Sequence, residues 1–146
     1  MLKKRLDELQ LLKRGIVFKH GLFTLVALLL INALLYSQGI EWVSGKWGEL
    51  IIVFFVIVLC NIEFIYYDIS PLGERRQKYL IFFCGLLGAT TVIACTYELV
   101  MEDTGIIVDG KINRNVLGIL FGIMILAIFI AYMLKAKFNT KREDNE

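Results

Sequence analysis

The residue best placed to do chemistry in this sequence is Glu63, which interrupts a long apolar stretch. It precedes the Tyr66–Tyr67 pair by about one helical turn, so we expect its carboxylate to lie roughly 5–6 Å inside a membrane interface. A carboxylate at that depth needs a partner or contact with water. Structural pairing or shallow snorkelling is the favoured interpretation. The alternative is a carboxylate that couples transport to a proton or a cation.

Two basic side chains are candidate partners for this carboxylate. His20 and Lys19 lie near the start of the first apolar stretch, at a depth comparable to that of Glu63, so a Glu63–His20 or a Glu63–Lys19 contact is expected. Asn32 and Asn61 are interpreted as groups that form hydrogen bonds between helices. Because Asn61 and Glu63 are two residues apart, they lie about 200° apart around a helix and cannot face one site.

The sequence predicts no catalytic, cofactor-binding or metal-binding site. Cys60, Cys84 and Cys95 all lie in apolar stretches, form no CxxC pair and have no zinc-type spacing with the single histidine. They are interpreted as small buried apolar residues, with lipidation or redox chemistry as alternatives. The net charge of +2 is too small to indicate nucleic-acid binding. We therefore expect a protein that is not an enzyme.

Four apolar stretches must position these side chains, at about 16–37, 49–67, 79–100 and 116–134. Each is about long enough to cross a hydrocarbon core of roughly 30 Å as a helix. Apolar residues make up 58% of the chain, more than the roughly 45–50% of ordinary soluble domains. The predicted fold is an all-α, integral membrane four-helix bundle that forms one membrane domain over residues 16–134.

The segments at the two ends of the chain are charged. Residues 1–15 place leucines at helical spacing among charged residues, which predicts a short N-terminal amphipathic helix. It either lies on the inner leaflet or extends the first span into the cytoplasm, and binding of a partner protein is the less favoured role. Residues 135–146 are predicted to form a charged cytoplasmic tail.

The basic residues alternate between the two sides of the predicted spans. Of the 16 lysines and arginines, 13 lie in the N-terminal segment, the second loop and the C-terminal tail, and three lie in the first and third loops. Short loops rich in basic residues remain in the cytoplasm. Both termini are therefore predicted to be cytoplasmic (N-in/C-in), in the cell membrane, with the lipid bilayer as the immediate partner.

Small residues in the last two spans predict a close helix pair. Gly85 and Ala89 make a small-xxx-small pair in the third span, and Gly118 and Gly122 make a GxxxG motif in the fourth. Small side chains allow helix backbones to approach closely in lipid. We expect the third and fourth spans to pack tightly together, with homodimerisation through the motif as an alternative.

The loop before the fourth span carries two local signals. Asp109-Gly110 lies between β-branched residues, a pattern that favours a small hairpin. Asn113 and Asn115 are the candidates for the N-cap of the fourth helix.

The chain resembles the uncharacterised small four-helix multi-pass membrane proteins of bacteria. The resemblance is carried by Asp7-Glu8 and Lys13-Arg14-Gly15 before the first span and by Gly39-Ile40-Glu41-Trp42 after it. It implies a bacterial cytoplasmic-membrane protein without an assigned activity. We expect a non-enzymatic protein that acts by association, as a homo-oligomer or as an accessory subunit of a larger membrane complex. A small transporter or channel that uses Glu63 is the alternative.

Overall fold

A computed structural model of the protein describes residues 8–69, 74–102 and 105–143. Within these ranges the fold is four helices and one small hairpin: α1 Glu8–Ser37, α2 Trp47–Tyr66, α3 Glu74–Met101, β1 Ile107–Val108, β2 Lys111–Ile112 and α4 Arg114–Glu143. All four helices are long and apolar enough to cross a membrane. The predicted all-helical fold, with four helices of this length and apolarity, is confirmed.

The N-terminal amphipathic segment is not a separate helix where it is described. Residues 8–15 form the first two turns of α1, and the helix continues without a break to Ser37. The first seven residues of the predicted segment lie outside the described ranges. Of the two arrangements expected, an extension of the first span is the one observed for residues 8–15, because the backbone hydrogen bonds of the helix run through it.

Local sequence signals account for the helix ends. The N–H of Ile40 donates to the carbonyl of Leu35 at 3.0 Å, and Gly39 adopts a φ of +76°, so α1 ends in a Schellman motif. The end of α2 has the same motif, with Asp68 in the left-handed region at φ +56° and the N–H of Ile69 donating to Phe64 at 3.3 Å.

The predicted hairpin and its neighbouring cap are confirmed. Ile107 pairs with Ile112 and Val108 with Lys111, and Asp109 and Gly110 both have positive φ, as a type I′ turn requires. The side-chain oxygen of Asn113 accepts a hydrogen bond from the N–H of Asn115 at 3.0 Å. Asn113 is therefore the N-cap of α4.

The four helices lie in the order α1–α2–α4–α3. Among the described residues, α3 packs most extensively on α4, α2 packs on both α1 and α4, and α1 packs extensively only on α2. The bundle is therefore an open row in which α1 and α3 form the two edges. Few side chains are buried within the chain itself, and large ones such as Phe23 and Ile93 are 67% and 69% exposed. This pattern suits a protein whose apolar surface is covered by lipid.

Glycines bring α3 and α4 together, as the small-residue pattern predicts. A methyl group added to Gly88 would lie 2.9 Å from the backbone oxygen of Gly122, and one added to Gly122 would lie 3.0 Å from the backbone oxygen of Gly88. A methyl group on Gly85 would lie 2.8 Å from the ring of Phe129. The predicted close packing of these two spans is confirmed, since the backbones are in direct contact.

The hairpin joins the loop between α1 and α2 at one end of the row, which we call the hairpin end. The N–H of Ile112 donates to the carbonyl of Trp42 at 3.0 Å, and Lys111 forms an ion pair with Glu41. Beneath them Val43, Ile51 and Leu117 form a buried apolar cluster. We call the opposite end, where α1 begins and α2 ends, the terminal end.

Candidate functional site

The candidate site lies between α1 and α2, where His20 meets Glu63. The Nδ1 atom of His20 is 3.5 Å from the Oε2 atom of Glu63, and the two side chains are 55% and 25% exposed. The histidine carries a charge only when it is protonated. Of the two contacts expected from the sequence, this one is present. Lys19 makes no ion pair with Glu63 and is exposed on α1.

The α1–α2 interface positions this pair through small and branched side chains. Val17 of α1 is fully buried, and its carbonyl faces the Sγ atom of Cys60 at 4.0 Å. One turn later, a methyl group on Gly21 would lie 2.5 Å from that sulfur. Because Gly21 has no side chain, α2 approaches α1 closely here, which places Glu63 beside His20 one turn further along α2.

The carboxylate of Glu63 has one oxygen with unused hydrogen-bonding capacity. Its Oε2 atom is buried and accepts no hydrogen bond from any of the described residues, because the histidine nitrogen lies at ion-pair rather than hydrogen-bond distance. Buried polar atoms in proteins are usually hydrogen-bonded, so this oxygen is the exception that marks the site. Within the described residues no cluster of three or more His, Cys, Asp or Glu side chains is present that could hold a metal ion.

The two asparagines have roles that differ from the prediction. The amide of Asn61 donates to the carbonyl of Ile57 in its own helix at 2.8 Å, so the predicted interhelical bond is wrong for this residue. Asn61 is exposed on the side of α2 away from α1, and an exposed amide bonds most readily to the preceding turn. The oxygen of Asn32 accepts a hydrogen bond from Nε1 of Trp42 at 2.7 Å. It therefore holds the loop at the hairpin end rather than another helix.

Sequence reasoning missed a set of basic side chains at the carboxyl end of α2. The Nε atom of Arg14 donates to the carbonyl of Ile69 at 2.9 Å. The ammonium of Lys135 donates to the carbonyl of Ile65 at 2.5 Å and lies 2.6 Å from a carboxylate oxygen of Asp68. Cations stabilise helix carboxyl ends because the last carbonyls there lack helical partners.

This arrangement ties three helices together at the terminal end. Arg14 belongs to α1 and Lys135 to α4, and they lie 55 and 70 residues from the carbonyl groups they contact on α2 and just beyond it. The sequence signal was only the presence of basic residues near span ends, which also fits a positive-inside tail. No local pattern distinguishes a basic residue that contacts a helix carboxyl end from one that only contributes to a positive-inside tail.

The His20–Glu63 pair can join two helices electrostatically, and one carboxylate oxygen of the pair accepts no hydrogen bond from the described residues. Comparisons of the chain with protein-family models, with curated proteins and with solved structures give no match.

Proposed function

We propose that this protein is a non-enzymatic multi-pass membrane protein that acts by lateral association, as a homo-oligomer or as an accessory subunit of a larger complex. The observation that carries the proposal is the position of α1 at one edge of the helix row, where it packs extensively only on α2. Its uncovered surface around Gly15 is shallow and is lined by Glu8, Leu11, Leu12, Gly15, Ile16 and Lys19.

The two edge helices differ in where their glycines lie. On α1 Gly15 is exposed and a methyl group there would meet nothing within 4 Å, whereas Gly85 and Gly88 of α3 are buried against α4. Both edges expose large apolar side chains, for example Phe18 on α1 and Phe82 on α3. Small and polar residues are typical of helix–helix contacts in membranes, whereas large apolar residues suit contact with lipid. The edge formed by α1 is therefore the better candidate for a partner.

The proposal places the protein in the bacterial cytoplasmic membrane with both termini in the cytoplasm. It rests on the four apolar helices and on the distribution of basic residues, 13 of 16 on one side. The basic side chains of Arg14 and Lys135 at the terminal end would then face the inner leaflet.

Photo-crosslinking in native membranes tests the α1 edge directly. In a background with Cys60→Ala, Cys84→Ala and Cys95→Ala, a benzophenone maleimide is attached to Gly15→Cys on α1 or, as the matched control, to Ile93→Cys on α3. We expect Gly15→Cys to give a discrete protein adduct, either a dimer or a complex of fixed mass. Ile93→Cys is expected to give lipid adducts only. Lipid adducts at both positions would contradict association through α1.

The second candidate function is a small transporter, and the observation that favours it is the buried Oε2 atom of Glu63 without a hydrogen bond from the described residues. If Glu63 couples transport, Glu63→Gln abolishes proton-linked flux in reconstituted vesicles while the helix content stays the same. If Glu63 is structural, the same change lowers stability or assembly, and the wild-type vesicles show no flux to lose.

A further inference from the structure

An apolar groove runs between α2 and α3 from the terminal end, and we call it the α2–α3 groove. Its volume is about 350 Å³. Ile57, Asn61 and Phe64 form one wall, Leu80 and Leu87 form the other, and Ile128 of α4 lies at the floor. The rims are exposed, since Ile57 and Leu80 are 50% and 47% exposed, whereas Val58 and Ile81 below them are buried. The groove is therefore open sideways, toward the surroundings of the helix row.

The length of the groove matches one leaflet of a bilayer. Its lining on α2 extends from Phe54 to Ile65, roughly 16 Å along the helix, and on α3 from Gln77 to Leu87, roughly 15 Å. Half of a hydrocarbon core is about 15 Å. The groove ends at Phe54, whose ring packs on Phe121 of α4 at 5.0 Å between centroids. A partner helix that crosses the whole membrane would need a groove about twice as long.

The mouth of the groove, at the terminal end, is polar and has one basic side chain at its rim. Gln77 lines the groove there and is half-buried, and the exposed Arg76 lies one turn before Leu80 on the same face of α3, whereas Lys78 lies on the other side of the helix. The nearby carboxylate of Asp68 is paired with Lys135, 2.6 Å away. Basic side chains beside a pocket between membrane helices attract anionic lipid headgroups.

We propose that the α2–α3 groove binds one acyl chain of an anionic phospholipid from the leaflet at the terminal end, with the headgroup held by Arg76. The apolar walls suit an acyl chain, the length of the groove matches one leaflet, and the positive charge at its mouth suits a phosphate. The groove is on the opposite side of α2 from Glu63, and Phe64 of its wall packs on Phe18 of α1 at 5.5 Å between ring centroids.

Native mass spectrometry of the purified full chain tests the headgroup part of the proposal. Phosphatidylglycerol and phosphatidylcholine with identical acyl chains are titrated into detergent-solubilised protein. We expect Arg76→Gln to weaken phosphatidylglycerol binding about fivefold and to leave phosphatidylcholine binding unchanged. The control, Lys78→Gln, removes the same charge from an exposed position on the other side of α3 and is expected to change binding roughly twofold or less. Equal effects of the two variants would overturn the proposal.

A second pair of variants tests occupation of the groove. Leu80 lines it and Leu86 does not, although both are exposed leucines of α3. We expect Leu80→Trp to fill the groove and weaken binding of both lipids about tenfold, whereas Leu86→Trp has no effect. Unchanged lipid binding in Leu80→Trp would overturn the proposal. So would a photoreactive group at Leu80 that labels a second copy of the chain or another protein instead of a lipid.

Discussion

The α3–α4 and α1–α2 interfaces differ in the kinds of contact that they contain. Between α3 and α4, Gly88 and Gly122 bring backbone against backbone, in addition to a glycine–thiol contact between Gly118 and Cys95. Between α1 and α2, Gly21 faces the side chain of Cys60, and a partly exposed His20–Glu63 pair lies one turn away. A backbone atom cannot move out of the way without displacing its helix, whereas a cysteine side chain can rotate.

The α3–α4 pair is therefore a fixed core, whereas the α1–α2 pair is adjustable. The fixed pair gains its stability from close packing, which is the main attraction available between helices in lipid. The adjustable pair leaves α1 at the edge of the row with polar groups at its contact. An adjustable edge would suit the association through α1 that we propose.

The largest expected effect comes from Gly88→Ala. Its methyl group would lie 2.9 Å from the Gly122 oxygen, so α3 and α4 must separate, at a cost of about 3 kcal/mol in the free energy of unfolding. The control is Gly15→Ala, where a methyl group meets nothing within 4 Å and helix propensity favours alanine by about 0.5–1 kcal/mol. Reversible unfolding in mixed micelles measures both. Similar destabilisation by Gly88→Ala and Gly15→Ala would contradict the distinction between the fixed α3–α4 pair and the α1 edge.

A smaller effect is expected from Gly21→Ala at the adjustable interface. The added methyl group meets the Cys60 sulfur at 2.5 Å, and we expect a loss of about 1 kcal/mol because the thiol can turn aside. Introducing Cys60→Ala into this variant removes the clash and is expected to restore most of the loss. The same unfolding assay on the single and double variants checks this. A double variant no more stable than Gly21→Ala would show that the thiol is not the obstacle.

The smallest effect is expected for the coupling between His20 and Glu63. A double-mutant cycle with His20→Gln and Glu63→Gln is predicted to give a coupling free energy of about 0.6 kcal/mol, typical of polar pairs between membrane helices. The pair is 3.5 Å apart and partly exposed, which limits its strength. A value indistinguishable from zero would mean that the two side chains are neighbours without an energetic link.

Several features of the fold followed from local sequence alone. The four spans follow from apolar length, the hairpin from Asp109-Gly110, and the cap of α4 from Asn113, because each is decided within a few residues or by solvent. The packing of α3 on α4 was predicted from small residues, but the α3 glycine in backbone contact with Gly122 is Gly88, which lies outside the Gly85–Ala89 spacing. The His20–Glu63 contact followed from matching depth in two adjacent spans.

The order of the helices and their rotation about their own axes could not be predicted in this way. Asn61 turned out to face away from α1 and to bond within α2, and Asn32 to hold Trp42. The contacts of Arg14 and Lys135 with the carboxyl end of α2 join residues 55 and 70 positions apart. Such contacts depend on how whole helices pack, and a hydropathy pattern with apolar residues on all sides does not specify a face.

Labelling of two cysteines with a membrane-impermeant maleimide in intact cells tests the central claim, that these helices cross a bilayer with the terminal end inside. The background carries alanine in place of all three native cysteines. Ser44→Cys, exposed at the hairpin end, is predicted to react in intact cells, and Lys137→Cys, exposed near the end of α4, only after the membrane is permeabilised. Reaction of Lys137→Cys in intact cells, with Ser44→Cys protected, would contradict the orientation. Recovery of the protein in the detergent-free soluble fraction, with both cysteines equally reactive, would contradict membrane insertion itself.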